Sequence, residues 1–322
     1  MSFSKETAIQ QVLDEPCMQK QLDAIARAVF AGVDLPASQL TVPELQNALL
    51  LHSVYTGSGG EFDQIDPKLL NEYKDLQLEY LLLKIWSGND SEDVYQSAID
   101  GMAELYESDP AKCDQFPTSL VIFNLKHHCA QHLVANKAYP MALPFLLDNF
   151  QNSSLDFAAS PKPDLQHGFR LLVQCLLLTP YTYKKLNALR SIVSKINVQP
   201  YQIDPDTKSL LENMNDRQLF PISKTILSKL VPEQELDHAI ELATEFNIVS
   251  LSQVFSTVKI PTIKTIFELE LDNLQLFDLI LQLISDRKIN AVVDEIDMSV
   301  HFNLQKEEKL LPTLLKLLDT LS

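Results

Sequence analysis

The sequence predicts a mostly α-helical chain: a helical-repeat (α-solenoid) array, then a small helical unit closed by a β-hairpin, then one C-terminal helix. Three observations predict it. Apolar residues recur at helical spacing from Thr7 to Ile284. Glycine is scarce, seven in 322 residues, about 2% against a typical ~7%. The hydrophobic period turns from helix-like to strand-like only within residues 248–302. Scarce glycine disfavours folds built on glycine-rich phosphate loops or many tight β-turns; packed helices need little of it.

Residues 1–150 form the N-terminal helical array. Thr7–Val29 reads as one or two helices broken near Pro16, and Leu35–Thr41 as a connector. Thr41-Val42-Pro43-Glu44 marks a helix start, Thr41 near the cap and Pro43 in the first turn. Leu45, Leu49 and Val54 face inward. Gly57-Ser58-Gly59-Gly60 ends that helix in a loop. It lacks the following Lys-Ser/Thr and the preceding strand of a phosphate-binding P-loop. Asp66-Pro67 opens a helix that continues to Trp86, and Ser91–Tyr106 is a shorter one. Ser119–Asn136 and Pro140–Phe150 form a helix pair, without the 34-residue signature of a tetratricopeptide array.

Residues 151–164, QNSSLDFAASPKPD, are polar with two prolines and predict a linker loop. Residues 165–247 return to helices: Leu165–Leu178, Tyr181–Ile196 after the Thr179-Pro180 break, Asp206–Asn213, Phe220–Lys229 and Glu233–Phe246.

Residues 248–303 carry the change of period. Thr262–Leu269 predicts a short helix. Asp272 stands at an N-cap, where its carboxylate accepts from free backbone N–H groups. Leu274, Phe277, Leu279, Ile280, Leu281, Leu283 and Ile284 follow, and Arg287 and Lys288 suit the negative end of the helix dipole. Ile289, Ala291 and Val293 then alternate with Lys288, Asn290 and Val292. Glu295-Ile296-Asp297 forms a turn, and Met298, Val300 and Phe302 alternate with Ser299 and His301. Helices followed by a two-stranded wing make a winged-helix unit.

Residues 304–322 hold the last helix. Leu310, Leu314, Leu317 and Leu321 share a stripe in Lys306–Leu321, with Leu311, Leu315 and Leu318 beside it. Such a helix of about 24 Å buries its stripe on its own domain or in a bundle with partner helices. The bundle is the expectation.

The series from Ile260-Pro261 through Ile266-Phe267, Leu279-Ile280, Ile284, Lys288–Ala291, Asp294, Asp297, Val300 and Phe302 resembles the C-terminal half of a PCI domain. PCI domains occur in scaffold subunits of the COP9 signalosome, the proteasome lid and translation initiation factor 3. Met298 stands where the family usually has glycine, which predicts a wider or shifted turn. His128–Leu146 and Leu176–Leu189 are similar to a signalosome subunit ahead of its PCI domain. The resemblance implies PCI architecture and a non-catalytic scaffold role, with the signalosome favoured and cullin deneddylation carried out by another subunit. It implies contacts with other PCI and MPN subunits, and with cullin ligases through the complex. The interface residues would be Ile289, Ala291, Val293, Val300 and Phe302 at the wing edge, and Leu310, Leu314, Leu317, Leu318 and Leu321 in the helix bundle.

Charge and chemistry narrow the classes further. The net charge is −17, from 26 basic and 43 acidic residues, which opposes phosphate-backbone binding. Residues 250–302 hold four basic residues against eight acidic ones, so the helix that would enter a DNA groove is poorly suited to it. A nucleic-acid-binding winged helix, as in PCI complexes of messenger-RNA export, is the alternative of another class. His127, His128, Cys129 and His132 could offer metal ligands, since His128 and His132 lie four apart, but the HExxH pattern is not met. Packing within the helix pair is the expectation. Asp294, Glu295 and Asp297 read as a solvated turn rather than paired catalytic carboxylates. No catalytic, metal or cofactor site is expected. Scattered Cys17, Cys113, Cys129 and Cys175 predict reduced thiols. The first residues lack a secretory pattern, no apolar run is long enough to cross a bilayer, and the expected location is cytoplasm and nucleus.

Overall fold

The computed structural model describes residues 12, 15, 17–89, 91–152, 165–196 and 203–303. Within them lie fourteen α-helices and three short strands. The chain divides into two compact units, Met1–Leu172 and Val173–Ser322. The division falls inside a helix, Leu165–Leu177, rather than in the expected 151–164 linker. The start of this helix is held to the first unit by rings: Phe169 lies 5.7 Å from Phe150 and His167 5.7 Å from His127.

The first unit contains α1 (Met18–Phe30), α2 (Pro43–Thr56), α3 (Lys74–Trp86), α4 (Glu92–Ser108), a single-turn α5 (Pro110–Cys113), α6 (Thr118–Ala135) and α7 (Tyr139–Asn152). Helix α1 packs on α2, α3 on α4 and α6 on α7, and α3 also touches α2 and α6. This is a repeat-like succession of helix pairs. Gly57 ends α2 with φ +69°, and Ser58 N–H donates to Ser53 O at 2.9 Å while Gly57 N–H donates to Val54 O at 3.1 Å. That is a Schellman ending, which glycine adopts without the steric cost of a Cβ.

Two starts differ from expectation. Val42 rather than Thr41 is the N-cap of α2, and no side chain caps it. Asp66-Pro67 opens only a 3₁₀ turn, Pro67–Leu70, with the Asp66 carboxylate accepting from Lys68 N–H at 2.9 Å. Asn47 of α2 grips Asp66 from the other side, its amide donating to Asp66 O and accepting from Asp66 N–H, both at 2.9 Å. This fixes the turn against α2, and α3 starts only at Lys74.

The second unit contains α8, the Leu165–Leu177 helix from Val173 on, then α9 (Tyr183–Lys195), α10 (Pro205–Asn215), α11 (Lys224–Leu230) and α12 (Leu236–Leu251). Every residue from Leu242 to Leu251 is buried, so α12 runs as a central helix through the expected boundary at 247/248. Next come β1 (Thr257–Lys259), α13 (Ile260–Phe267), α14 (Asn273–Ser285), β2 (Ala291–Asp294) and β3 (Ser299–Phe302). Asp272 caps α14 as expected. Its carboxylate accepts from Gln275 N–H at 2.8 Å while Gln275 Oε1 accepts from Asp272 N–H at 2.9 Å, a full capping box.

The sheet has three strands in the order β1-β3-β2, both pairings antiparallel. Strand β1 was not expected. Its three residues are too few to establish an alternation. Val293 faces Val300 and Ala291 faces Phe302. The turn is one residue wider than Glu295-Ile296-Asp297, because Met298 belongs to it and takes φ +49°, the left-handed conformation that favours glycine.

Candidate interaction surface

The hydrogen-bond alternation of the small sheet decides which backbone groups are free. Asn303 N–H donates to Asn290 O, Phe302 N–H to Ser256 O and Ile260 N–H to Met298 O, each at 2.8 Å. In an antiparallel ladder such pairs recur every second residue. Asn290, Val292 and Asp294 therefore turn their backbone groups toward β3. Ala291 and Val293 turn theirs outward, where the described residues provide no neighbouring strand.

The expected wing-edge residues separate accordingly. Ala291 and Val293 lie on a free edge strand. Val300 and Phe302 do not: β3 is the central strand, paired on both sides, which corrects their assignment to an edge. The side chains of Ile289, Ala291, Val300 and Phe302 are all buried, and Val293 is half-buried. They pack inward, so what this edge offers a partner is backbone. Its exposed apolar side chains are instead Val292, 60% exposed, and Ile296 at the wing tip, 95% exposed. The expected bundle residues Leu310, Leu314, Leu317, Leu318 and Leu321 lie outside the described residues.

A polar knot on the buried Glu245 carboxylate holds the turn leading into this edge. Lys288 Nζ sits 2.9 Å from Glu245 Oε1 on α12, and the same carboxylate oxygen accepts from Tyr181 N–H at 3.0 Å. Lys288 thus turns inward, where only the helix dipole was expected to hold it. Nearby, Lys185 of α9 is 1% exposed. Its Nζ donates to Thr179 O at 2.7 Å and lies 5.8 Å from the Phe246 ring centroid. Burial pulls the Lys185 amine down to about 7; Glu245 opposes this and Lys288 adds to it. Sequence reasoning missed both Lys185 and Glu245. The signal was present: Lys185 shares one apolar stripe with Ala188, Leu189 and Ile192, all buried.

The histidine cluster is dispersed. His128 Nε2 accepts from Trp86 Nε1–H at 2.9 Å. His132 stacks on Tyr95 with ring centroids 4.0 Å apart and its Nε2 is 3.0 Å from Asn136 Nδ2. Cys129 is fully buried, and burial pushes its thiol up to about 12. Among the described residues, no three His, Cys, Asp or Glu side chains converge as a metal site. Asp294 organises the wing turn, accepting from Ile296 N–H at 2.9 Å and Asp297 N–H at 3.1 Å. The outward face of α14 presents Leu274, Asp278 and Leu281, with no base to meet a phosphate.

All four cysteines are free thiols, Cys17 exposed and the other three buried. Among the described residues, no helix is long and apolar enough to cross a membrane. No family model matches the chain, and no curated protein matches it.

Proposed function

We propose that this chain is a non-catalytic scaffold subunit of a PCI assembly, the COP9 signalosome, in a role like that of its subunit 3. The observation that carries the reading is the outer edge of β2, unpaired among the described residues, where Ala291 and Val293 direct backbone groups away from β3. A strand of a neighbouring subunit can add there by backbone pairing. The order helix, strand, helix, helix, strand, strand supports the winged-helix reading, and the helix pairs of the first unit support an array ahead of it. The acidic balance of residues 250–302 favours a protein partner over nucleic acid. In this role the chain works in cytoplasm and nucleus, and another subunit removes the ubiquitin-like modifier from cullins.

Affinity purification of the tagged chain from its own cells tests the reading, with co-purifying proteins identified by mass spectrometry. Signalosome subunits and cullins are expected with the full chain and reduced with a chain ending at Asn303. Proteasome-lid or initiation-factor subunits instead would keep the scaffold role and change the assembly. Recovery alone, or with RNA, would overturn it.

A further inference from the structure

A groove of about 870 Å³ opens in the second unit, between the first turns of α12 and the side of α14. Apolar side chains line its base: Ile222, Ile240, Leu271 and Leu279. Carboxylates line its rim, from Asp237 and Glu241 on α12, Glu268 and Glu270 after α13, and Asp278 on α14. One lysine and one histidine reach this rim. Lys224 Nζ lies 3.7 Å from Glu270, and His238 Nδ1 lies 3.6 Å from Glu241. Among the described residues, no cation comes within ion-pair distance of Asp237, Glu268 or Asp278. On α14, one turn either side of Asp278, Leu274 is 70% exposed and Leu281 42% exposed.

We infer that this groove docks a basic amphipathic helix of a partner polypeptide. Its lysines or arginines would meet the rim carboxylates, and its apolar stripe would cover the groove base and the exposed leucines. An apolar base bounded by five carboxylates against one lysine is the pattern that a basic amphipathic helix in a groove complements. Other occupants fit less well. The carboxylates come from three separate segments and do not converge as a metal site, and a nucleic acid would be repelled. The proposal rests on the scaffold reading for the class of partner, a polypeptide, and places a second contact away from the β2 edge.

The test titrates a fluorescent Leu/Lys amphipathic peptide of about four helical turns against the full chain at physiological salt, reading anisotropy. A Leu/Glu peptide of the same pattern serves as the control. The Leu/Lys peptide is expected to bind and the Leu/Glu peptide is not. Reversing the rim with Asp237→Lys and Asp278→Lys should weaken binding about tenfold or more. Glu295→Lys with Asp297→Lys makes the same charge change at the wing tip and should weaken it less than about twofold. Equal losses in the two double variants, no binding, or equal binding of both peptides would overturn the proposal. Groove reversal should leave edge pairing intact, so co-purification with the rim variant separates a failure of this inference from a failure of the scaffold reading.

Discussion

In the first unit, rings pass contacts from helix to helix. Phe30 of α1 lies 5.3 Å from Tyr55 of α2, Tyr55 stacks 5.2 Å from Trp86 of α3, and Trp86 meets His128 of α6 at 6.3 Å. The second unit closes instead around α12, where Lys185 lies over Phe246 and Lys288 meets Glu245. Both units bury ionisable side chains, but differently. His52 and Glu79, 1% and 2% exposed, face each other at 2.8 Å in the first, whereas the Lys185 amine meets a backbone carbonyl. Cohesion in an array is spread over many similar contacts. Cohesion around one helix is concentrated, and it supports the turn from which the free β2 edge emerges.

Changes at the centre of the second unit should therefore cost most. Phe246 is fully buried and meets both Tyr181 and Phe220. Phe246→Ala should destabilise by about 4 kcal/mol, read by urea unfolding. A loss below about 1 kcal/mol would show that the surroundings collapse into the space. Trp86 is only half-buried, and Trp86→Ala should cost less, about 2–3 kcal/mol, including the contact left unmade at His128. A cost equal to that of Phe246→Ala would remove the contrast between spread and concentrated cohesion.

The third change separates the units by pH. The folded Lys185 amine lies near 7, below its unfolded value of about 10.4. Between those values the unfolded chain holds a proton that the folded chain does not. Stability should therefore rise with pH from 7 toward 10, by up to about 1.4 kcal/mol per pH unit. Lys185→Met should flatten this rise, measured by urea unfolding at pH 7, 8 and 9. A parallel rise in wild type and variant would locate the effect elsewhere. The smallest effect is chemical. Cys17 should react quickly with a thiol reagent at pH 8, and Cys129 and Cys175, whose thiols burial pushes up to about 12, should react only on unfolding. Fast reaction of Cys129 would show the first unit opening where its helices pack.

Long periodic stretches were legible in the sequence. The helices of both units fall close to where apolar spacing put them, and Asp272 caps α14 as its position implied. Features decided by distant residues were not. Asn47 determines what Asp66 does, nineteen positions away, and the sequence around Asp66-Pro67 alone reads as a helix start. Strand β1 exists because β3 offers an edge to three residues, not because those residues show a period. The wing hairpin was readable, but without β1 its central strand looked like an edge, and Val300 and Phe302 were assigned to an interface. Lys185 was passed over because a charged residue on an apolar stripe is usually read as solvated; here Thr179 O satisfies it.

The scaffold role stands or falls most directly on the outward N–H of Val293. Proline is tolerated on an edge strand where its missing N–H faces away from the ladder. Val293→Pro should therefore keep the thermal midpoint within a few degrees of wild type while losing the co-purifying subunits. Retention of those subunits by a folded Val293→Pro chain would contradict the account.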